Sequence, residues 1–173
     1  MATFFKFRII SSEEDSFLFE IEADSKMSFY QLYVAIQKAL KYDTSHPASF
    51  YLTNNKWEKE KEVTLIDMNS NDHNNILFME KTLLKDHLNT QNQRMLYVYD
   101  FFFERAFNVE LVQISELKPG SSKNLPKIIR LEGTIPAQIL MPEFISGEDS
   151  PDEFMDSDPD EGPEFEPLDD LDM

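Results

Sequence analysis

Hydrophobic and polar residues alternate in two neighbouring segments at the start of the chain, residues 3–10 and 16–22. Each segment places three apolar residues on one face: Phe5, Phe7 and Ile9 in the first, and Phe17, Phe19 and Ile21 in the second. A period of two is the spacing of a half-buried β-strand. The polar residues 11–15 between the segments have the length of a hairpin connection. The pattern therefore predicts a β-hairpin with one apolar face.

The pattern then changes to the spacing of three and four residues that is typical of an amphipathic helix. The apolar residues at this spacing are Phe29, Leu32, Tyr33, Ile36, Ala39 and Leu40. Ser28 is a favourable N-cap, and Gln31 three residues later completes a capping box. Pro47 prevents the helix from continuing through the following loop. We predict a helix that begins after Ser28, ends near Lys41 and covers the apolar face of the hairpin.

The rest of the chain alternates short strand patterns with polar turns. Predicted strands cover residues 49–53, 62–66, 77–79, 94–101, 107–114 and 128–131, a brief helix covers residues 83–88, and a polar loop covers residues 69–75. Strands and helices do not alternate regularly, which favours an α+β fold over a doubly wound parallel sheet. We predict an α+β fold in which the N-terminal β-hairpin and the amphipathic helix pack on a mostly antiparallel sheet.

Acidic residues are concentrated at the C-terminal end. The 173-residue chain has 33 acidic and 16 basic residues, a formal charge of −17, and residues 148–173 contain 13 of the acidic residues and no basic one. Four prolines interrupt this segment, and its few apolar residues are insufficient for a core. We predict a globular domain over residues 1–146 and a disordered acidic tail over residues 147–173.

The tail has two interpretations. A highly charged extension can simply keep the chain soluble. Alternatively, its apolar residues could fold onto a basic, apolar groove of another protein; these residues are Phe154, Phe165, Leu168, Leu171 and Met173. A protein partner bound through the acidic tail is therefore a prediction of the sequence.

Other partner classes have weaker support. Lys56, Lys59 and Lys61 lie around Trp57, but they alternate with Glu58, Glu60 and Glu62. This alternation removes the basic stripe that nucleic-acid binding requires. No apolar run reaches the roughly 18 residues of a membrane span. The chain has no cysteine, which excludes disulfides and thiolate zinc sites. We predict a cytoplasmic protein without direct nucleic-acid or membrane binding.

No complete catalytic motif is present. The three histidines, His46, His73 and His87, do not have the spacing of a helical zinc site, and the four glycines cannot form a dinucleotide-binding loop, a P-loop or a nucleophile elbow. We predict no enzymatic activity, no cofactor and no metal. The aromatic run at residues 97–103 is assigned to the core. If Asp100 within it points inward, it needs a hydrogen-bonded partner, and Arg105 is the nearest candidate.

Two motifs resemble those of a known family. The predicted helix, the loop Tyr42-Asp43-Thr44-Ser45-His46 and the strand at residues 49–53 are similar to a helix–GWDDSH–strand signature, and residues 96–101 are similar to a YxYDFGDxWxH block. Both occur in the plasmid pRiA ORF-three-like family, also catalogued as insertion-element passenger proteins. Residues 126–136 weakly resemble the region that follows in that family. The resemblance covers residues 3–137 and leaves the tail outside.

The chain also departs from this family pattern. Phe102 and Phe103 replace a glycine and an aspartate, Phe107 or a neighbour replaces the final histidine, and the PPEDC segment is absent. Residue by residue, the resemblance therefore implies only four candidate binding residues, which are Asp43, His46, Tyr99 and Asp100. It implies the fold more strongly than any activity.

Three functions follow as hypotheses. The first is a non-enzymatic interaction module that binds another macromolecule through the acidic tail or the loop at residues 42–46. The second is a degenerate or cryptic hydrolase centred on His46 and Asp100, which requires the two side chains to converge in a pocket. The third follows the mobile-element association of the family and is an accessory protein that acts in DNA recombination.

Overall fold

A computed structural model describes residues 2–66 and 76–140. Within these residues the strands are β1 Thr3–Ser11, β2 Leu18–Asp24, β3 Ser49–Thr53, β4 Lys59–Thr64, β5 Ile76–Phe78, β6 Arg94–Asp100, β7 Arg105–Glu116 and β8 Lys127–Glu132. The helices are α1 Phe29–Leu40 and the single turn α2 Leu84–His87, and Met79–Lys81 form a 3₁₀ turn. The predicted loop at residues 69–75 and the predicted tail at residues 147–173 lie outside the described residues.

The eight described strands form one sheet in the order β5-β4-β3-β6-β7-β1-β2-β8. All neighbouring strands are antiparallel except β4 and β5, which are parallel. The fold is thus a mixed α/β fold that the sheet dominates, and the predicted mostly antiparallel arrangement is confirmed. Because the strand order differs from the chain order, segments that are distant in the sequence lie side by side in the sheet. The candidate site is formed by such segments.

The predicted hairpin and helix are both present. β1 pairs with β2, with Phe7 opposite Ile21, and the six apolar residues predicted to share a face are all buried. Ser28 Oγ accepts the Gln31 N–H at 3.1 Å, and Gln31 Oε1 accepts the Ser28 N–H at 2.9 Å. This capping box satisfies two backbone donors that a helix N-terminus leaves open. The helix therefore begins where the sequence predicts.

The apolar face of α1 lies on the centre of the sheet. The rings of Phe29 and Phe50 are 5.3 Å apart between centroids, and those of Tyr33 and Tyr97 are 6.5 Å apart. Tyr97 Oη donates a hydrogen bond of 2.5 Å to Gln37 Oε1 inside the core. Burial of this polar pair is tolerated because each group satisfies the other. These contacts fix the helix over β3 and β6.

The structure corrects the assignment of the aromatic run at residues 97–103. Tyr97 and Tyr99 are buried as predicted, but β6 ends at Asp100, and Phe101, Phe102 and Phe103 are 42%, 85% and 45% exposed. The strand ends because Asp100 Oδ1 accepts the N–H groups of Phe102 and Phe103 at 3.0 and 3.1 Å, a local bond that favours a turn over a strand. The second half of the run therefore lies on the surface.

Other strands also differ from their predicted limits by one to three residues, and β4 and β7 are two of them. β4 covers Lys59–Thr64 rather than residues 62–66, because its pairing with β3 extends to Lys59. β7 is longer than predicted, and its register against β1 shifts between Lys6 and Phe7. This shift is a β-bulge that skips Val112, after which the strand continues to Glu116. Within the described part of the chain, no helix combines the length and the apolar character that a membrane crossing requires.

Candidate functional site

The loop at residues 42–46 follows directly from the end of α1. Lys41 has a φ of 60°, the left-handed conformation that ends many helices, and the Tyr42 N–H returns to the Gln37 carbonyl at 2.9 Å. This turn directs the Tyr42 ring into the core, where it lies 5.6 Å from the Tyr99 ring. The packing fixes the start of the loop beside the end of β6. Asp43, which directly follows Tyr42, is therefore placed near the end of β6.

Arg105, the first residue of β7, binds several groups beside the end of β6. It is only 6% exposed, and its Nε and Nη2 donate to the two carboxylate oxygens of Glu13 at 2.6 and 2.8 Å. Its Nη1 donates to Asp100 Oδ2 at 3.3 Å, and its guanidinium lies 4.9 Å from the centroid of the Tyr99 ring. A forked arginine–carboxylate pair is among the stronger polar contacts in proteins. The predicted partnership of Asp100 with Arg105 is confirmed.

The electrostatics agree with this geometry. The hydrogen bond from Arg105 lowers the pKa of Glu13 below its ordinary value of 4.5, although burial opposes the change. The same bond is the main reason that the pKa of Arg105 is raised above its usual range. Both shifts favour the charged forms. The pair is therefore ionised throughout the neutral pH range.

The segment at residues 136–138 joins the loop to Arg105. Arg105 donates to the carbonyl oxygens of Ala137 and Gln138 at 2.7 and 3.3 Å. Tyr42 Oη donates to the Pro136 carbonyl at 2.6 Å. The Gln138 side chain accepts the Asp43 N–H at 2.7 Å and donates to the Asp43 carbonyl at 2.9 Å. One continuous hydrogen-bond network therefore connects the loop, the segment at residues 136–138, β7 and the end of β6.

The four candidate residues have different surroundings within this network. Tyr99 is buried, and both oxygens of Asp100 accept hydrogen bonds, from Arg105 and from the turn at residues 102–103. Asp43 is exposed and His46 is partly exposed, and His46 Nε2 lies 3.9 Å from Asp43 Oδ2. Hydrogen bonds from Ser45 lower the pKa of Asp43. Among the hydrogen bonds and ion pairs of the described residues, none joins His46 to Asp100.

Sequence reasoning did not find Glu13, Tyr42 or Gln138 as members of this network. Glu13 lies in the connection between β1 and β2 and Gln138 beyond β8, so their contacts with Arg105 and Asp43 join residues that are 92 and 95 positions apart. Tyr42 did carry a signal, since it is an aromatic residue immediately before the polar loop. Phe107, which with its neighbours is the predicted replacement for the histidine of the family, is buried and stacks on Tyr99 with centroids 4.6 Å apart.

The described residues contain no group of three or more histidine or acidic side chains arranged to hold a metal ion. Two surface cavities are lined by described residues other than Arg105 and its hydrogen-bond partners. One, of about 590 Å³, is lined by residues that include Lys61, His87 and Gln93, and another, of about 300 Å³, is lined by residues that include Pro47, Ile66 and Phe101. The arrangement around Arg105 is therefore a hydrogen-bonded scaffold with an exposed loop on it.

Burial raises the pKa values of the tyrosines in this region, which gives a testable prediction for alkaline pH. The pKa of Tyr99 is raised from 10.0 to about 12 by desolvation, and that of Tyr42 is raised further. Above the ordinary value the unfolded chain loses these protons while the folded chain keeps them. The contribution of these tyrosines to the free energy of unfolding should therefore be constant below pH 10 and fall between pH 10 and about 12.

The slope should be at most about 1.4 kcal/mol per pH unit for each tyrosine. Urea unfolding at a series of pH values measures it, and Tyr99→Phe should reduce the slope because one titrating group is removed. A Tyr99→Phe variant with the wild-type slope would contradict the raised pKa of Tyr99.

Over the described residues, these observations define a sheet-dominated mixed α/β protein with one long helix on its sheet and a buried arginine that binds Asp100 at the end of β6. The chain belongs to the plasmid pRiA4b ORF-3-like protein family, whose sequence model matches residues 6–156. The family predicted from the two motifs is thus confirmed, and the match extends beyond residue 137, where the motif resemblance ended.

A solved structure has a similar fold. The crystal structure of a protein of unknown function from Methanosarcina mazei Go1 is similar to this chain with a TM-score of 0.60 and 20% sequence identity, over 76% of this chain and 70% of that chain. At this identity the similarity shows a common fold. No curated protein sequence matches the chain.

Proposed function

We propose that this chain is a non-enzymatic module that binds another protein, and that the loop at residues 42–46 and the acidic tail contact the partner. The observation that supports the loop most directly is its rigid exposure. Hydrogen bonds to Gln138 hold the Asp43 backbone, while the side chains of Asp43 and His46 are 60% and 41% exposed. A loop that is already ordered loses little conformational freedom when it binds.

Two of the four candidate residues, Tyr99 and Asp100, have surroundings that indicate a structural role. A general base must be free to take a proton from a substrate, but both oxygens of Asp100 accept hydrogen bonds within the protein. Tyr99 is buried, and its ring packs against those of Tyr42 and Phe107. We infer that Asp100 and Tyr99 position the loop and that Asp43 and His46 are the residues that contact a partner.

Charge indicates the chemistry of the partner. Residues 148–173 contain 13 acidic residues without a basic one, and the loop adds the ionised Asp43. Such a surface complements a basic protein and repels nucleic acid. A basic protein surface with an apolar groove would accommodate both the acidic and the apolar residues of the tail. We place this interaction in the cytoplasm, as the sequence predicts.

The test is capture of partners by the full-length chain from a lysate of its source organism. One variant replaces the acidic residues of 148–173 by their amides, which keeps the length of the tail. A second carries His46→Ala, and His87→Ala is its matched control because His87 lies on another element. We expect the neutral tail and His46→Ala each to reduce recovery of the partner by about tenfold, which corresponds to about 1.4 kcal/mol.

Recovery should also fall as salt is raised, because salt screens charge pairs at an exposed interface. His87→Ala should recover the partner as the wild type does. Equal recovery by the neutral-tail variant, His46→Ala and the wild type would refute the proposal.

The hydrolase and the recombination accessory are alternatives without a specific observation in their favour. Mobility shift with duplex DNA at low salt is a direct test of the second, since phosphate contacts are strongest there. We expect no shift, because the chain has a net charge of −17.

A further inference from the structure

Three exposed phenylalanines form the turn between β6 and β7, which we name the aromatic turn, residues Phe101–Phe103. Phe102 is 85% exposed, and its ring packs on that of Phe103 with centroids 4.7 Å apart. The Asp100 carboxylate holds the backbone N–H groups of Phe102 and Phe103. The turn is therefore a fixed apolar projection. Contiguous exposed apolar surface of this kind is typical of an interaction site.

An apolar cavity of about 300 Å³ adjoins the aromatic turn. Its apolar lining includes Pro47, Leu65, Ile66, Ile76 and Phe101. Phe101 thus belongs both to the projection and to the wall of the cavity. The volume is at the lower limit for small-molecule sites, and a single large side chain is a suitable occupant.

We propose that the occupant is the Phe102 side chain of a second copy of this chain, so that two copies pair through the aromatic turn and the cavity. A projection and a cavity that adjoin on one surface are self-complementary. A two-fold axis near Phe101 would bring each Phe102 to the cavity of the other copy, which is the isologous contact of most homodimers. An aromatic residue buried at the centre of an interface is also the usual source of binding energy.

The charges of the residues that line the cavity favour a second copy of the chain over its own acidic tail as the occupant. Among the described residues that line the cavity, Glu62 alone is charged, and it accepts a hydrogen bond from Ser49 Oγ at 2.8 Å. The described part of the lining therefore offers no cation to attract the acidic tail of the chain. A nearly neutral lining also brings few like charges together when two copies meet. The repulsion that remains comes from the net charge of −17 on the whole chain.

This repulsion gives the dimer a salt dependence that can be measured. The screening length falls from about 10 Å at 0.1 M salt to about 3 Å at 1 M. Salt should therefore strengthen the dimer, which is opposite to its expected effect on the basic partner proposed above. The two proposals are independent, and their failures are distinguishable for this reason.

The test is sedimentation equilibrium of the full-length chain over a range of protein concentrations at about 0.1 and 1 M salt. We expect a species of twice the 20.3 kDa chain mass that becomes more populated at high salt. Phe102→Ser and Ile66→Asp should each raise the dissociation constant by at least about tenfold. Both residues are more than half exposed, so the variants should fold.

Ile128→Ser is the matched control, because Ile128 is 48% exposed but lies on β8, at the other end of the sheet. It should dimerise as the wild type does. A wild-type chain that stays monomeric at high salt overturns the proposal. A dimer that Phe102→Ser and Ile66→Asp leave intact also overturns it, since another face then forms the contact. A monomer that floats with phosphatidylcholine vesicles, and no longer does so as Phe102→Ser, overturns it in favour of a lipid surface.

Discussion

Replacement of Arg105 by alanine should lower the free energy of unfolding by about 3 kcal/mol or more, the range expected when one partner of a buried ion pair is removed. The substitution leaves Asp100, whose side chain is 11% exposed, without its cation. It also leaves the carbonyl groups of Ala137 and Gln138 without their donor. Both changes are costly because these groups stay shielded from water and have lost their hydrogen-bond partner. Urea unfolding followed by circular dichroism measures the change.

Arg130→Ala is the matched control. Arg130 also donates to a carboxylate, that of Glu132 at 3.1 Å, but both side chains are about half exposed. Exposed pairs of this kind contribute about 0–1 kcal/mol. The difference between the two variants therefore isolates the effect of burial. Arg105→Ala within about 1 kcal/mol of the wild type would contradict the central role of Arg105.

The pH dependence of the same variants provides a second measurement. The pKa of Glu13 is below its ordinary value of 4.5 in the folded chain because Arg105 donates to it. A lowered folded pKa contributes stability that is present above the unfolded value and is lost as pH falls through the folded value. The wild type should lose stability as pH falls below 4.5, and Arg105→Ala should lose less over the same range. An unchanged acid profile in Arg105→Ala would show that another partner lowers the pKa of Glu13.

Replacement of Gly133 by alanine is the second prediction with a large effect, a loss of about 3 kcal/mol. Gly133 follows β8 with a φ of 82°, and a Cβ at this position would overlap the Ser16 carbonyl group and lie 2.8 Å from Phe17 N. Backbone atoms cannot rotate away as a side chain can. The alanine would therefore separate β8 from the connection before β2 and weaken the Thr134 N–H bond to Ser16 Oγ.

Gly120→Ala is the control for conformation alone. Gly120 has nearly the same φ of 85°, but nothing lies within 4 Å of the position of its Cβ. The left-handed conformation by itself should cost alanine about 1–2 kcal/mol. Gly133→Ala should also increase amide exchange along β8, and Gly120→Ala should not. Equal losses of stability in the two variants would contradict the close approach of Gly133 to Ser16.

The elements of the fold could be predicted because their signals are local. The alternation of Phe5, Phe7 and Ile9 and the capping pair Ser28 and Gln31 each lie within a few residues of the structure that they determine. The second half of the aromatic run, residues 101–103, was predicted wrongly for a related reason. A strand pattern continues through Phe101, but the hydrogen bonds of Asp100 to the following N–H groups end the strand, and aromatic composition does not report them.

The candidate site could be predicted only in part. The resemblance identified Asp43, His46, Tyr99 and Asp100, and proximity along the chain identified Arg105 as a partner of Asp100. The sequence does not show that Glu13 completes the pair or that Gln138 holds Asp43, because each contact spans more than 90 residues. Nothing within a short window relates residues that far apart.

By itself the sequence determined the hairpin, the capped helix, the mostly antiparallel sheet and the family, since hydrophobic period and capping act over one or two turns of chain. Tertiary structure alone decided how the hydrogen-bond network around Arg105 is assembled. The sheet order places β7 between β1 and β6, so Arg105 at the start of β7 lies between Glu13, which follows β1, and Asp100, which ends β6. Pairing of strands distant in the chain creates that proximity, and no local propensity encodes it.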